Sequence, residues 1–173
     1  WSKQGGFEIY VDNDEKGQNL FQELMDEGKE LNVRAGCPNA IERMEGGLLS
    51  YGNDMTIKDN VLECGFGGLV SFSDEINYLA KDHLKQLSLK GIKKSLTGIK
   101  IFSDAFTLLN HEPIFVNGDK VGELRSVVYS PSFKCCLGIA MIDLETQDNK
   151  QKQIAVIDNN EYQIEISPLP FNQ

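Results

Sequence analysis

The chain has 173 residues, a formal net charge of −9 and a sequence pI near 4.7, with 40% hydrophobic and 25% charged residues. That is the size of one large domain or two small ones and an ordinary composition for a globular protein. An acidic surface repels phosphate backbones, which argues against nucleic acid as a partner, and no apolar run approaches the roughly 20 residues a membrane span needs.

Residues 7–11 (FEIYV) alternate between β-formers and are bounded by Gly5-Gly6 and by Asp12-Asn13-Asp14, which predicts a strand. The acidic run 12–15 reads as a turn. Over 17–31, Leu20, Phe21, Leu24 and Met25 recur at helical spacing. A loop with Gly36 and Pro38 follows, and Pro38 opens a second predicted helix over 39–49. Residues 51–60 form a polar loop. Gly-rich 61–72 has strand character at 69–72. Ile76, Leu79, Ala80, His83, Leu84 and Leu87 then mark a helix with one buried stripe, on which His83 reads as a satisfied core histidine.

From Ile92 the pattern changes to short strands, expected at 95–102, 113–116, 121–129, 135–143, 153–157 and 162–166. Asn117-Gly118-Asp119 is a hairpin signal and Asn159-Asn160 a second one. Six short strands at this spacing predict a small antiparallel barrel or sandwich. The fold class is therefore α+β, with residues 1–91 as one region and 92–173 as a β-barrel domain. The four cysteines, Cys37, Cys64, Cys135 and Cys136, form no C-x-x-C pair and have only His83 and His111 for company, so no metal site is expected. They read as reduced thiols of a cytoplasmic protein, with Cys135 and Cys136 on opposite faces of a strand. There is no signal-peptide pattern, and the chain opens on Trp1 rather than Met, so it reads as the interior of a longer protein.

One helix face carries chemistry. Ile41, Met44, Glu45 and Leu48 share it, and Glu45 is a carboxylate on an apolar stripe that needs a partner. Two partners fit: Arg43 or Arg34 in a structural ion pair, or a ligand offering two adjacent N–H donors, as a pterin ring does. Gly46 and Gly47 follow at once. They read either as the end of the helix or as a place where a backbone or flat ligand comes close. Asp54 reads as bonding its own loop backbone.

These residues carry a resemblance. EGGLLSYGND at 45–54 is similar to the R-L-E-A-G-L-x-x-Y-G-N-D segment of the glycine-cleavage T-protein family, with Met44 and Gly46 where the family more often has Leu and Ala. GFEIYV at 6–11, Glu63 to Gly65, KGIKKSLTGIKI at 90–101, Ser130-Pro131 and the closing PLPF at 168–171 resemble family features in the same order. Within the family, PNAIERMEGGLLSYGNDM resembles the sulfonium-demethylating branch, and Trp1-Ser2-Lys3-Gln4 stands where aminomethyltransferases carry a G-E-D-type stretch.

The resemblance implies a tetrahydrofolate-dependent enzyme, here represented by its C-terminal half. Its expected reaction moves a methyl group from dimethylsulfoniopropionate to tetrahydrofolate, giving 5-methyltetrahydrofolate and methylthiopropionate. Glu45 and Tyr51 are then expected to bind the folate, with Lys93 and Lys94 near its acidic tail, where a solvated strand start is the plainer reading. Trp1 and Tyr10 are expected to hold the sulfonium against their aromatic faces, with ordinary strand packing and a capped core residue as the alternatives. No catalytic acid or base is assigned; it is expected in the N-terminal half, the first partner, and the chain alone is expected to lack turnover. A homo-oligomer is compatible with all of this. Two other functions stay open: aminomethyl transfer in glycine cleavage, with a lipoyl carrier, and folate binding without catalysis.

Overall fold

The computed structural model describes residues 5–37, 39–104, 106, 108, 110–147 and 153–171. The expected contributions of Trp1 and Pro38 lie outside them. Six antiparallel strands close into a barrel in the order β1-β4-β3-β2-β5-β6. They are β1 (Lys94–Ile101), β2 (Glu112–Val116), β3 (Asp119–Ser130), β4 (Cys135–Asp143), β5 (Gln153–Ile157) and β6 (Asn160–Ser167). Two tight hairpins set the register. Asn117 and Gly118 take φ of 55° and 90° between the paired Val116 and Asp119. Asp158 and Asn159 do the same at 49° and 59° between Ile157 and Asn160, one residue earlier than expected. Positive φ at both central positions matches the twist of the strands and favours Asn, Asp and Gly there.

The interior is aliphatic: Ile99, Ile101, Ile114, Leu124, Ile142, Ile157 and Ile164 are buried together. β4 is the most enclosed strand, and its two cysteines do face opposite ways. Cys136 joins the main core, and Cys135 joins a second cluster with Leu137 and Phe171.

The region before the barrel differs more from the sequence reading. Helix α1 (Asp14–Glu27) begins inside the expected acidic turn, because the Asn13 side chain accepts from Lys16 N and caps it. Helix α2 (Ala40–Glu45) is capped by Asn39 and ends at Gly46, shorter than 39–49. Helix α3 (Lys81–Lys90) starts late and fully buries no residue: of the expected stripe Leu84 and Leu87 are half-buried, while Ile76, Leu79 and Ala80 are exposed, and His83 is exposed, not core. Residues 7–11 form no strand, and Phe7 and Tyr10 are exposed. An alternating run becomes a strand only when another strand supplies hydrogen bonds, and none does so among the described residues. In place of a strand at 69–72 there is a 3₁₀ turn, Gly67–Leu69. Among the described residues no helix is long and apolar enough to cross a membrane.

Candidate functional site

The segment from α2 to Asp59 docks on β3 through buried polar groups. Glu45, at the end of α2, accepts a hydrogen bond from Ser130 Oγ at 2.6 Å, and Ser130 Oγ accepts from Phe133 N. The carboxylate thus finds its partner on the barrel and not in either expected arginine. Arg34 bonds Asn32. Arg43 turns to Asp54, with 2.7 Å between Nη1 and Oδ2.

Asp54 is fully buried. It does bond its own loop, taking Ser50 N at 2.6 Å, but it also accepts from Arg43 and from Ser126 Oγ on β3. Arg43 spreads its remaining donors over Leu48 O and Ser126 Oγ. A buried pair of this kind is tolerated because nearly every lone pair and proton is used.

A second pair lies alongside. Arg125 on β3 donates to both oxygens of Asp59, at 3.1 and 3.2 Å. Burial opposes ionisation of Asp59, yet the Arg125 fork and the Thr56 donors prevail, and its carboxyl sits below the ordinary carboxylate range. Sequence reasoning passed over Arg125, Asp59 and Ser126. The readable signal was the pair of charged residues, Glu123 and Arg125, inside the strand-like run 121–129.

The glycines after Glu45 satisfy both readings given for them. Gly46 caps the helix, and Gly47 has φ of 62°. A Cβ at Gly47 would stand 3.1 Å from Leu169 Cβ and from Pro170 Cα, so the close neighbour is the chain's own PLPF tail. A cavity of ≈ 630 Å³ opens beside it, lined by Leu48, Leu49, Phe66, Leu96 and Leu169 among others.

The other expected site residues are dispersed. Tyr51 is 71% exposed, at the base of a turn closed by Gly52 N to Met55 O. Tyr10 is 86% exposed and donates to Glu8 Oε2 at 2.6 Å, a carboxylate neighbour the sequence reading did not use. Lys93 is exposed. Lys94 pairs with Asp143, while Ser130, which holds Glu45, pairs with Cys135. Cys135 and Asp143 are the two ends of β4, about 26 Å apart at strand rise, so the lysines and Glu45 lie toward opposite ends of the barrel. Among the described residues no group of His, Cys, Asp and Glu could hold a metal ion.

This architecture, a closed six-stranded barrel with a YGND loop pinned to it, has counterparts. Residues 1–74 match the GCVT N-terminal domain and residues 94–172 the glycine cleavage T-protein C-terminal barrel domain. The chain belongs to the glycine-cleavage T-protein family. It is 41% identical over 143 residues to dimethylsulfoniopropionate demethylase DmdA of Ruegeria pomeroyi, covering 83% of this chain and 39% of that protein. It is 27% identical over 174 residues to an aminomethyltransferase of Bacillus cereus, covering 99% of this chain and 47% of that protein. The crystal structure of glycine cleavage system aminomethyltransferase T from Bartonella henselae superposes with a TM-score of 0.76 at 17% identity, covering 91% of this chain and 44% of that one. The chain therefore spans less than half the length of these relatives.

Proposed function

We propose that the chain is part of a tetrahydrofolate-dependent methyltransferase that demethylates dimethylsulfoniopropionate. The observation that carries this reading is the 41% identity to a demethylase of that substrate, against 27% to the aminomethyltransferases. In the reaction, N5 of tetrahydrofolate attacks the methyl carbon. The carbon–sulfur bond breaks with its electron pair going to sulfur, and N5 then loses its proton. The products are 5-methyltetrahydrofolate and methylthiopropionate. A sulfonium is already a good leaving group, so the protein's work is alignment and exclusion of water. Residues outside this chain complete the site and supply any acid or base. The exposed apolar side chains of 5–91, among them Phe7, Leu69, Leu79 and Leu89, are where that remainder packs. The compartment is the cytoplasm, in keeping with buried Cys64, Cys135 and Cys136 held as thiols.

The complete protein, assayed with each donor, is expected to consume dimethylsulfoniopropionate and form 5-methyltetrahydrofolate. Turnover seen solely with an aminomethyl-lipoyl carrier would move the protein to the glycine-cleavage branch. Folate binding with no donor consumed would make it a non-catalytic relative.

Within this reading, Trp1 and Tyr10 hold the sulfonium, Tyr51 and the pterin meet in the folate pocket, and Lys93 and Lys94 serve the acidic tail. Glu45 keeps one carboxylate oxygen beyond Ser130 for the pterin N–H groups. Glu8 is its rival. N5 must come within about 3–3.5 Å of the methyl carbon, and Glu8 is the carboxylate already against Tyr10. Glutamine at position 45 preserves an acceptor for Ser130 and removes the charge. Glu45→Gln in the complete protein is expected to weaken tetrahydrofolate binding by about 1–3 kcal/mol. Calorimetry that finds this loss in Glu8→Gln instead reassigns the pterin to Glu8.

A further inference from the structure

Tyr51 stands on loop 50–59, which is polar and contains no helix or strand beyond the bridge between Tyr51 and Met55. Its own bonds, Gly52 N to Met55 O, Asp54 N to Ser50 O and Thr56 to Asp59, shape two short turns, and contacts from outside set those turns on the barrel. Asp54 ties the loop's middle to α2 and to Ser126. Its far end is tied to the barrel by Arg125 of β3. Both terminal nitrogens of Arg125 hold Asp59, and Nη1 also reaches Asp54 O at 3.5 Å.

The backbone explains how a strand residue comes to do this. β3 shifts register between Leu124 and Ser126, so Arg125 faces no residue of β4. A bulge of this kind re-aims a side chain. Here the guanidinium is carried beside the loop, with Glu123 Oε1 2.7 Å from its Nε, a close ion contact without hydrogen-bond alignment. His111 adds a lighter tie, from Nε2 to Asn53 O at 2.9 Å. Arg125 also borders a cavity of ≈ 570 Å³ lined by Asn53, Leu108, Asn110 and His111. Loosening this grip therefore frees the loop into open space without breaking the barrel core.

We propose that Arg125 is a positioning residue, which grips Asp59 to fix loop 50–59 on the barrel and thereby presents Tyr51 to folate. The proposal rests on the folate reading above for its last step; the grip itself stands without it. Removing the grip acts on folate affinity and leaves the methyl donor's site alone. A purely structural loss would lower the fraction of active protein, and so kcat, with KM unchanged.

The test uses the complete protein with Arg125→Met, Arg125→Lys and Asp59→Asn. In Arg125→Met, KM for tetrahydrofolate is expected to rise about tenfold, the usual size for a coupled site. kcat at saturating folate and KM for the sulfonium should stay within about twofold. Arg125→Lys, which keeps the charge and loses the fork, should fall between. Hydrogen exchange without ligand should speed up at 50–59 and not in β4. If Arg125→Met does not fold, the near-isosteric Asp59→Asn carries the same measurements. Unchanged exchange at 50–59 in a folded variant overturns the grip. Faster exchange with unchanged folate KM, or a loss confined to kcat, overturns the presentation of Tyr51. A wild-type protein that never binds tetrahydrofolate overturns the folate reading, while the exchange result still decides the grip.

Discussion

Asp54→Ala should lower the unfolding free energy by about 3–5 kcal/mol, the cost of leaving one charge of a buried ion pair behind. Arg43 and Asp54 are both buried and 2.7 Å apart. Alanine strands the Arg43 guanidinium, the Ser50 amide and the Ser126 hydroxyl at once, since all three point at the lost carboxylate. Urea unfolding of the protein measures the loss. The double replacement Arg43→Met with Asp54→Leu should recover most of it, because two apolar side chains of similar volume leave no unpaired charge. A loss below about 1 kcal/mol in Asp54→Ala would mean that water reaches Arg43 and that the site is not the dry junction its burial implies.

That junction also shows what a sequence can carry. The barrel was legible strand by strand because its information is local: alternating runs such as QIAVI, and turn residues at Asn117-Gly118 and Asp158-Asn159 that tolerate positive φ. The bounds of β4 and β5 agree with the reading to the residue. Polar pairing is different. Arg43 and Arg34 were the arginines expected at Glu45, but Arg43 lies two residues away on the same helix, where side chains do not face each other, and Arg43 and Glu45 find their partners at Asp54 and at Ser130. Nothing local encodes a contact between residues so far apart in the chain. Arg125 was hidden for a second reason: the bulge breaks the alternation by which a strand residue is assigned a face.

The helices before the barrel teach the complementary limit. Periodicity states that one face of α1 and of α3 is apolar, but not what covers it. In the structure neither helix fully buries a residue. The same holds for FEIYV, whose pattern is that of a strand while Phe7 and Tyr10 face outward. Of the expected site, Asp54 does bond its own loop backbone, but its further bonds to Arg43 and Ser126 lay outside the reading, and Glu45 meets Ser130 in place of Arg43 or Arg34.

Phe171→Ala should cost about 3–5 kcal/mol, as for other large aromatic truncations in a core. The ring belongs to the closing PLPF segment and packs with Cys135, Leu137, Phe133 and Leu169. Its edge meets Phe133 at 6.2 Å between centroids. Gly98 on β1 makes room for it: a Cβ there would lie 2.8 Å from the Phe171 ring and equally close to Ser167 O. Gly98→Ala should therefore destabilise as well, by about 1–3 kcal/mol of overpacking. The two losses should not add. With the ring removed, one of the two clashes at position 98 disappears, and the double variant should be more stable than the sum of the singles predicts by about 0.5–1 kcal/mol. Strict additivity in the denaturation midpoints would show that Ser167 O alone forbids a side chain at Gly98, and that the tail rests on the barrel without depending on that glycine.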